Sequence, residues 1–122
     1  MKPSEISLFT AKEQTLLVST ESKRLEELSE DELADLLTRV RRARNKYSDL
    51  DRRQSAAAVK ASGRRSVSSS SNQRTARKAE VLADAVSRVS RYLSRAARRN
   101  ADELKRERID AARRERAKPA PS

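Results

Sequence analysis

Apolar residues recur along this chain at alternating intervals of three and four. The first such run is Leu33, Leu36, Val40, Ala43, Tyr47, Leu50, Gln54, Ala57 and Ala61. The second is Ala79, Leu82, Val86, Val89, Leu93, Ala96, Asn100 and then Glu103 or Leu104, beyond which the pattern fades into Arg and Glu. Alternating three–four spacing is the a/d seam of a heptad helix. It predicts one long helix over about residues 30–61 and another over about 75–114.

The ends of these runs carry start and stop signals. Ser29-Glu30-Asp31-Glu32 has the capping-box form, with three carboxylates at the positive end of the helix dipole. Gly63 is a plausible stop for the first helix, and Asn72 or Thr75 can cap the second. Between them, residues 62–73 are rich in Ser and Arg and read as a flexible basic linker. Its Arg-Arg-Ser-Val-Ser string has a kinase-site look, but a serine tract explains it as linker. Residues 118–122, with two prolines, read as a disordered tail.

Residues 1–28 form a separate arm of short helices. Thr10-Ala11-Lys12-Glu13 is a second capping box. Ile6, Leu8, Phe9, Leu16, Leu17 and Val18 make the most apolar patch of the chain.

Two heptad helices joined by a short flexible linker favour an antiparallel hairpin. The expected class is therefore all-α: a two-helix coiled-coil hairpin over residues 29–117, preceded by the helical arm. A register centred on Ser68 sets Tyr47 by Val89, Leu36 by Asn100 and Gln54 by Leu82, with the polar Gln54 and Asn100 available to fix the pairing. The seam is thin, since each fully buried Leu or Val contributes only about 1.5–3 kcal/mol. The arm should dock on the hairpin, or a partner or second copy should cover it.

Composition narrows the chemistry. The chain has 122 residues, room for one domain, and 39% of them are charged against 35% hydrophobic. It has one Gly, three Pro near the ends and three aromatic residues, which disfavours a sheet. Cys and His are both absent, so disulfides, thiolate metal sites and the usual general base are excluded. No catalytic, cofactor-binding, metal or small-molecule site is expected, and the protein reads as a non-enzyme. Met1-Lys2-Pro3-Ser4-Glu5 leads into no apolar signal region, and no apolar run approaches membrane-span length. A cytoplasmic or nucleoid-associated protein with no membrane partner is the expectation.

Charge changes the picture most. Residues 1–38 hold four Lys/Arg and nine Asp/Glu, a net of −5, whereas residues 39–122 hold 25 and nine, a net of +16; the two recover the chain's +11. An arginine-rich coding bias explains Arg over Lys but not this division, since the same bias left the first segment acidic. A basic body calls for an acidic partner, and the Arg fork suits phosphate.

The candidate nucleic-acid contacts fall in three groups. Arg88, Arg91, Arg95 and Arg98 form an outward stripe on the second helix, with Arg99 beside it; their span is about 15 Å at 1.5 Å per residue. Arg41, Arg42, Arg44, Arg52 and Arg53 flank the first seam, and Arg64, Arg65, Arg74 and Arg77 cluster at the hairpin tip. Without aromatic platforms or a base-reading motif, binding should be to backbone phosphates with little sequence preference. Duplex DNA, structured RNA and the ribosome all fit. A different function, a protein–protein adaptor or homodimer, would use the coiled-coil seams and the arm through Leu8, Phe9, Leu16 and Leu17. A membrane-surface role fits least, because no Trp or Phe lines the basic helices.

Overall fold

The computed structural model describes residues 2–62 and 70–119. It has five helices in chain order: α1 Pro3–Ile6, α2 Ala11–Ser19, α3 Ser22–Leu25, α4 Glu30–Ser62 and α5 Ser70–Ala117. No strand occurs among the described residues. The two long helices pack against each other, α2 lies against α4 and α3 against α5, and α1 is tied to α5 by the Glu5–Arg77 ion pair.

The helix starts of α2 and α4 follow from local chemistry. In α4, the Ser29 backbone N–H donates to Glu32 Oε1 at 3.0 Å and the Glu32 N–H donates to Ser29 Oγ at 3.2 Å. In α2, Thr10 and Glu13 make the same reciprocal pair at 3.0 and 3.3 Å. Both capping boxes are those expected from the sequence.

The start of α5 differs from expectation. It begins at Ser70, so Asn72 and Thr75 lie within the helix, both buried. Thr75 does not cap: its hydroxyl donates to the Ser71 carbonyl at 3.0 Å. Ser71, Arg74, Thr75 and Lys78 share a groove with Leu50 and Gln54 of α4. Packing against α4 therefore extends the helix through residues of modest intrinsic propensity. Gly63, Arg64, Arg65 and most of the Ser/Arg linker lie outside the described residues, as does the end of the tail.

The core takes Leu33, Leu36, Leu37, Val40 and Tyr47 from α4, and Val81, Leu82, Ala85, Val86, Val89 and Ala96 from α5. The arm completes it with Phe9, Leu16, Leu17 and Leu25, the last two about as enclosed as Val40 and Val89. The seam loosens at its ends. Ala57 is exposed, Leu50 and Gln54 are half-buried, and every described residue of α5 from Arg98 onward is exposed, including Leu104 and Ile109.

The pairing of the long helices departs from the register centred on Ser68. Asn100 Nδ2 donates to Glu30 at 2.7 Å, not beside Leu36. The Tyr47 ring lies under Lys78 Nζ, 5.0 Å from its centroid, where Val89 was expected. These side-chain contacts lie six and eleven residues from the partners that register assigned, on either side of one heptad. A seam that repeats every seven residues matches apolar to apolar after a slip of one heptad, so its pattern fixes the face but not the offset. The arm adds a constraint that the seam lacks, because Phe9 packs edge-on against Tyr47 with ring centroids 6.2 Å apart.

Candidate nucleic-acid interface

The docked arm divides the basic residues into two populations. On the flank it covers, cations are engaged. Arg88 donates through Nε to the Thr20 carbonyl at 2.7 Å and through Nη2 to Thr20 Oγ1 at 3.1 Å. Thr20 is the C-cap of α2, so Arg88 meets the negative end of that helix dipole. Arg77 forms an ion pair with Glu5 of α1 and another with Glu80 at 2.8 Å. Both guanidinium groups are engaged within the molecule, although Arg77 stays exposed. Arg88, placed by its spacing in the outer stripe, is half-buried and serves the fold.

The centre of the covered flank is Glu13. The Tyr47 hydroxyl lies 2.7 and 2.6 Å from its two carboxylate oxygens, and Lys46 Nζ is at 3.4 Å. Burial pushes the Glu13 carboxyl upward, but the Tyr47 hydroxyl, the Thr10 backbone N–H and the Lys46 ammonium outweigh it and hold the group below its ordinary value. Burial, then the adjacent Glu13 carboxylate, pushes the Tyr47 hydroxyl well above its ordinary range. Lys46 and Lys78 both sit over the Tyr47 ring, 4.9 and 5.0 Å from its centroid.

Beyond the arm the picture reverses. Arg91, Arg95, Arg98 and Arg99 are exposed. Arg95 stacks over the Tyr92 ring at 5.1 Å. Arg91, Arg98 and Arg99 make no hydrogen bond or ion pair among the described residues. Ser90, Arg91, Ser94, Arg95 and Arg98 line a shallow groove on this side of α5. The sequence carries no Asp or Glu between Asp84 and Asp102, so no local carboxylate competes for these guanidinium groups.

On α4, Arg41, Arg42 and Arg53 are likewise exposed and unpaired among the described residues. Arg52 pairs with Asp49, and Arg44 is half-buried and donates to Asn45 Oδ1 at 3.2 and 2.9 Å. Arg74 is exposed beside Leu50 and Gln54, and the tip residues Arg64 and Arg65 lie outside the described residues. The tip cluster is thus represented by Arg74 and by Arg77, which turns to Glu5.

The arm residues proposed for an adaptor interface lie inside the molecule. Phe9, Leu16 and Leu17 are buried and Leu8 is half-buried against the same core. Two long-range pairings escaped the sequence reading: Tyr47 with Glu13 and Arg88 with Thr20. They join residues 34 and 68 positions apart, and no local spacing signals them.

Among the described residues, no group of three His, Cys, Asp or Glu is placed to hold a metal ion. No described helix is long and apolar enough to cross a membrane. In comparison with known proteins, no family model, curated protein or solved structure matches this chain.

Proposed function

We propose that this protein is a non-enzymatic helical hairpin that binds nucleic acid or ribonucleoprotein through backbone phosphates, with little sequence preference. The observation that carries the reading is the acid-free exposed face of α5. Arg91, Arg95, Arg98 and Arg99 project from a stretch without a carboxylate, on the side the arm leaves open. Guanidinium forks left without internal acceptors are available for bidentate contact with phosphate. The paired geometry of Glu30 with Asn100 and of Tyr47 with Lys78 supports an antiparallel, coiled-coil-like hairpin as the scaffold. On this reading the work is done in the cytoplasm or on the nucleoid.

Rigid helices suit this role better than base readout. Three aromatic residues are present, Phe9 and Tyr47 are in the core, and Tyr92 is half-buried under Arg95. None offers a platform for successive bases.

Titration of a duplex DNA and a structured RNA at several salt concentrations tests the reading. Engagement of ~4–8 phosphates predicts a log–log slope of roughly −4 to −7 on duplex DNA. Similar affinity for unrelated sequences is expected. Binding insensitive to salt, or no binding to either nucleic acid at low salt, overturns it.

A further inference from the structure

Basic residues occupy two outer faces of the helix pair, not one. Val40 and Val89 have no solvent exposure and mark the inward sides of α4 and α5. At about 100° per residue, Arg42, Arg53 and Lys60 sit roughly 200–220° round α4 from Val40, directed away from α5. Arg91 and Arg98 sit roughly 180–200° round α5 from Val89, directed away from α4. All five are exposed.

Each face is basic in its own right. Arg41, Arg42, Arg53 and Lys60 of α4 and Arg91, Arg95, Arg98 and Arg99 of α5 are exposed and make no ion pair among the described residues, and residues 85–101 hold no acid. The acids of α4 confine its basic face to the part from Arg41 onward, since exposed Asp31 and Asp35 lie roughly 180–220° from Val40 at the start of the helix. Asp49 is paired with Arg52, and Asp51 is half-buried. Packed helices have axes 8–10 Å apart and are 10–12 Å wide, so the two surfaces lie roughly 20 Å apart, back to back. One double helix cannot touch both without wrapping the molecule. The acidic arm lies between them along one flank, with Glu5 on Arg77 and Glu13 on Lys46, which separates the faces electrostatically.

We propose that the protein bridges two nucleic-acid double helices, one on the outer face of α4 and one on the outer face of α5. The inference rests on the phosphate-binding reading above and adds a second, independent contact surface. The chemistry recognised is a close array of duplex phosphates, which B-form DNA and A-form RNA both supply.

The test uses the full chain with two populations of one short duplex, one labelled with an energy-transfer donor and the other with an acceptor, run once with DNA and once with RNA. Energy transfer should rise as protein is added and fall again in protein excess, when each duplex is coated separately. The form of duplex that gives transfer identifies the source. Replacing Arg91, Arg95, Arg98 and Arg99 with Gln should reduce transfer to background while the duplex remains bound through α4. Replacing Arg41, Arg42, Arg53 and Lys60 with Gln should do the same from the other side. Replacing Arg108, Arg113, Arg114 and Arg116 with Gln removes equal charge from the exposed end of α5 and should leave transfer intact. Circular dichroism unchanged in all three shows that each is folded. Bound duplex without transfer overturns the bridge alone. So does transfer that survives either face variant, or that disappears equally in the control, since that is charge condensation. A parent protein that binds neither duplex overturns the phosphate reading and the bridge with it.

Discussion

Arg77 and Arg88 lie on the same helix as Arg91, Arg95, Arg98 and Arg99, yet the two sets do different things. The first pair is held by the arm, through Glu5 and Thr20. The second set reaches past the arm, and among the described residues Arg95 alone of the four makes a ring contact, with Tyr92, and none forms an ion pair. The contrast teaches that net charge overstates the charge left free for any partner. A guanidinium anchored to a carboxylate or a helix end contributes to the fold, and only one without an internal acceptor is ready for an external phosphate. The chain's +11 is therefore a poor measure of how many of its cations are unengaged.

The comparison holds only if the helix pair is the scaffold for both sets. Val89 has no exposure and lies in the core that α5 shares with α4 and the arm. Val89→Asp buries an unpaired carboxylate there and should cost about 4 kcal/mol or more. Helical circular dichroism and urea unfolding should show the loss. A variant with parental helicity and midpoint would mean that this face is not the seam.

The next effect in size tests the arm. Tyr47→Phe removes the hydroxyl that both Glu13 oxygens accept from, and should destabilise the fold by about 1–3 kcal/mol. It should also change the acid limb. Glu13 has its carboxyl lowered below 4.5 in the folded protein, so its stabilisation is present above the unfolded value and is lost as pH falls through the folded one. Stability of the parent should decline as the pH drops below about 4.5. In Tyr47→Phe that part of the decline should shrink. An identical acid limb in both proteins would remove Glu13 from the account.

How much of this was legible in the sequence depends on the range of the interaction. The Ser29–Glu32 and Thr10–Glu13 boxes are three-residue signals, and both helices start where those signals lie. The seam showed which faces of α4 and α5 are buried over Leu33–Tyr47 and Leu82–Ala96, but not that Ala57, Asn100 and Leu104 would be exposed. It could not show the offset, because a seven-residue slip preserves the apolar match. The start of α5 was read too late, since Ser70 to Thr75 look like linker until α4 packs beside them. Arg88 was read into the outer stripe for a related reason: its spacing fits, and only the docked position of Thr20 reveals its role. The exposure of Arg91, Arg95, Arg98 and Arg99 was legible because an acid-free stretch of helix needs no distant partner to remain open.

A smaller effect sharpens the distinction inside the arginine set. Arg88→Gln should cost about 1 kcal/mol, through loss of the bonds to Thr20 at the end of α2. Arg91→Gln should be within about 0.5 kcal/mol of the parent. Equal costs by chemical denaturation would erase the line between the two sets.

The most direct measurement compares salt slopes on duplex DNA for the parent and for the variant with Arg91, Arg95, Arg98 and Arg99 all replaced by Gln. Gln keeps helix propensity close to that of Arg, so stability should be nearly unchanged. Each lost phosphate contact removes about 0.9 from the log–log slope. The account predicts a slope shallower by about three to four units, to a similar extent on unrelated sequences. A variant with the parental slope and affinity would contradict it, because the unpartnered arginines of α5 would then not be the groups that meet phosphate.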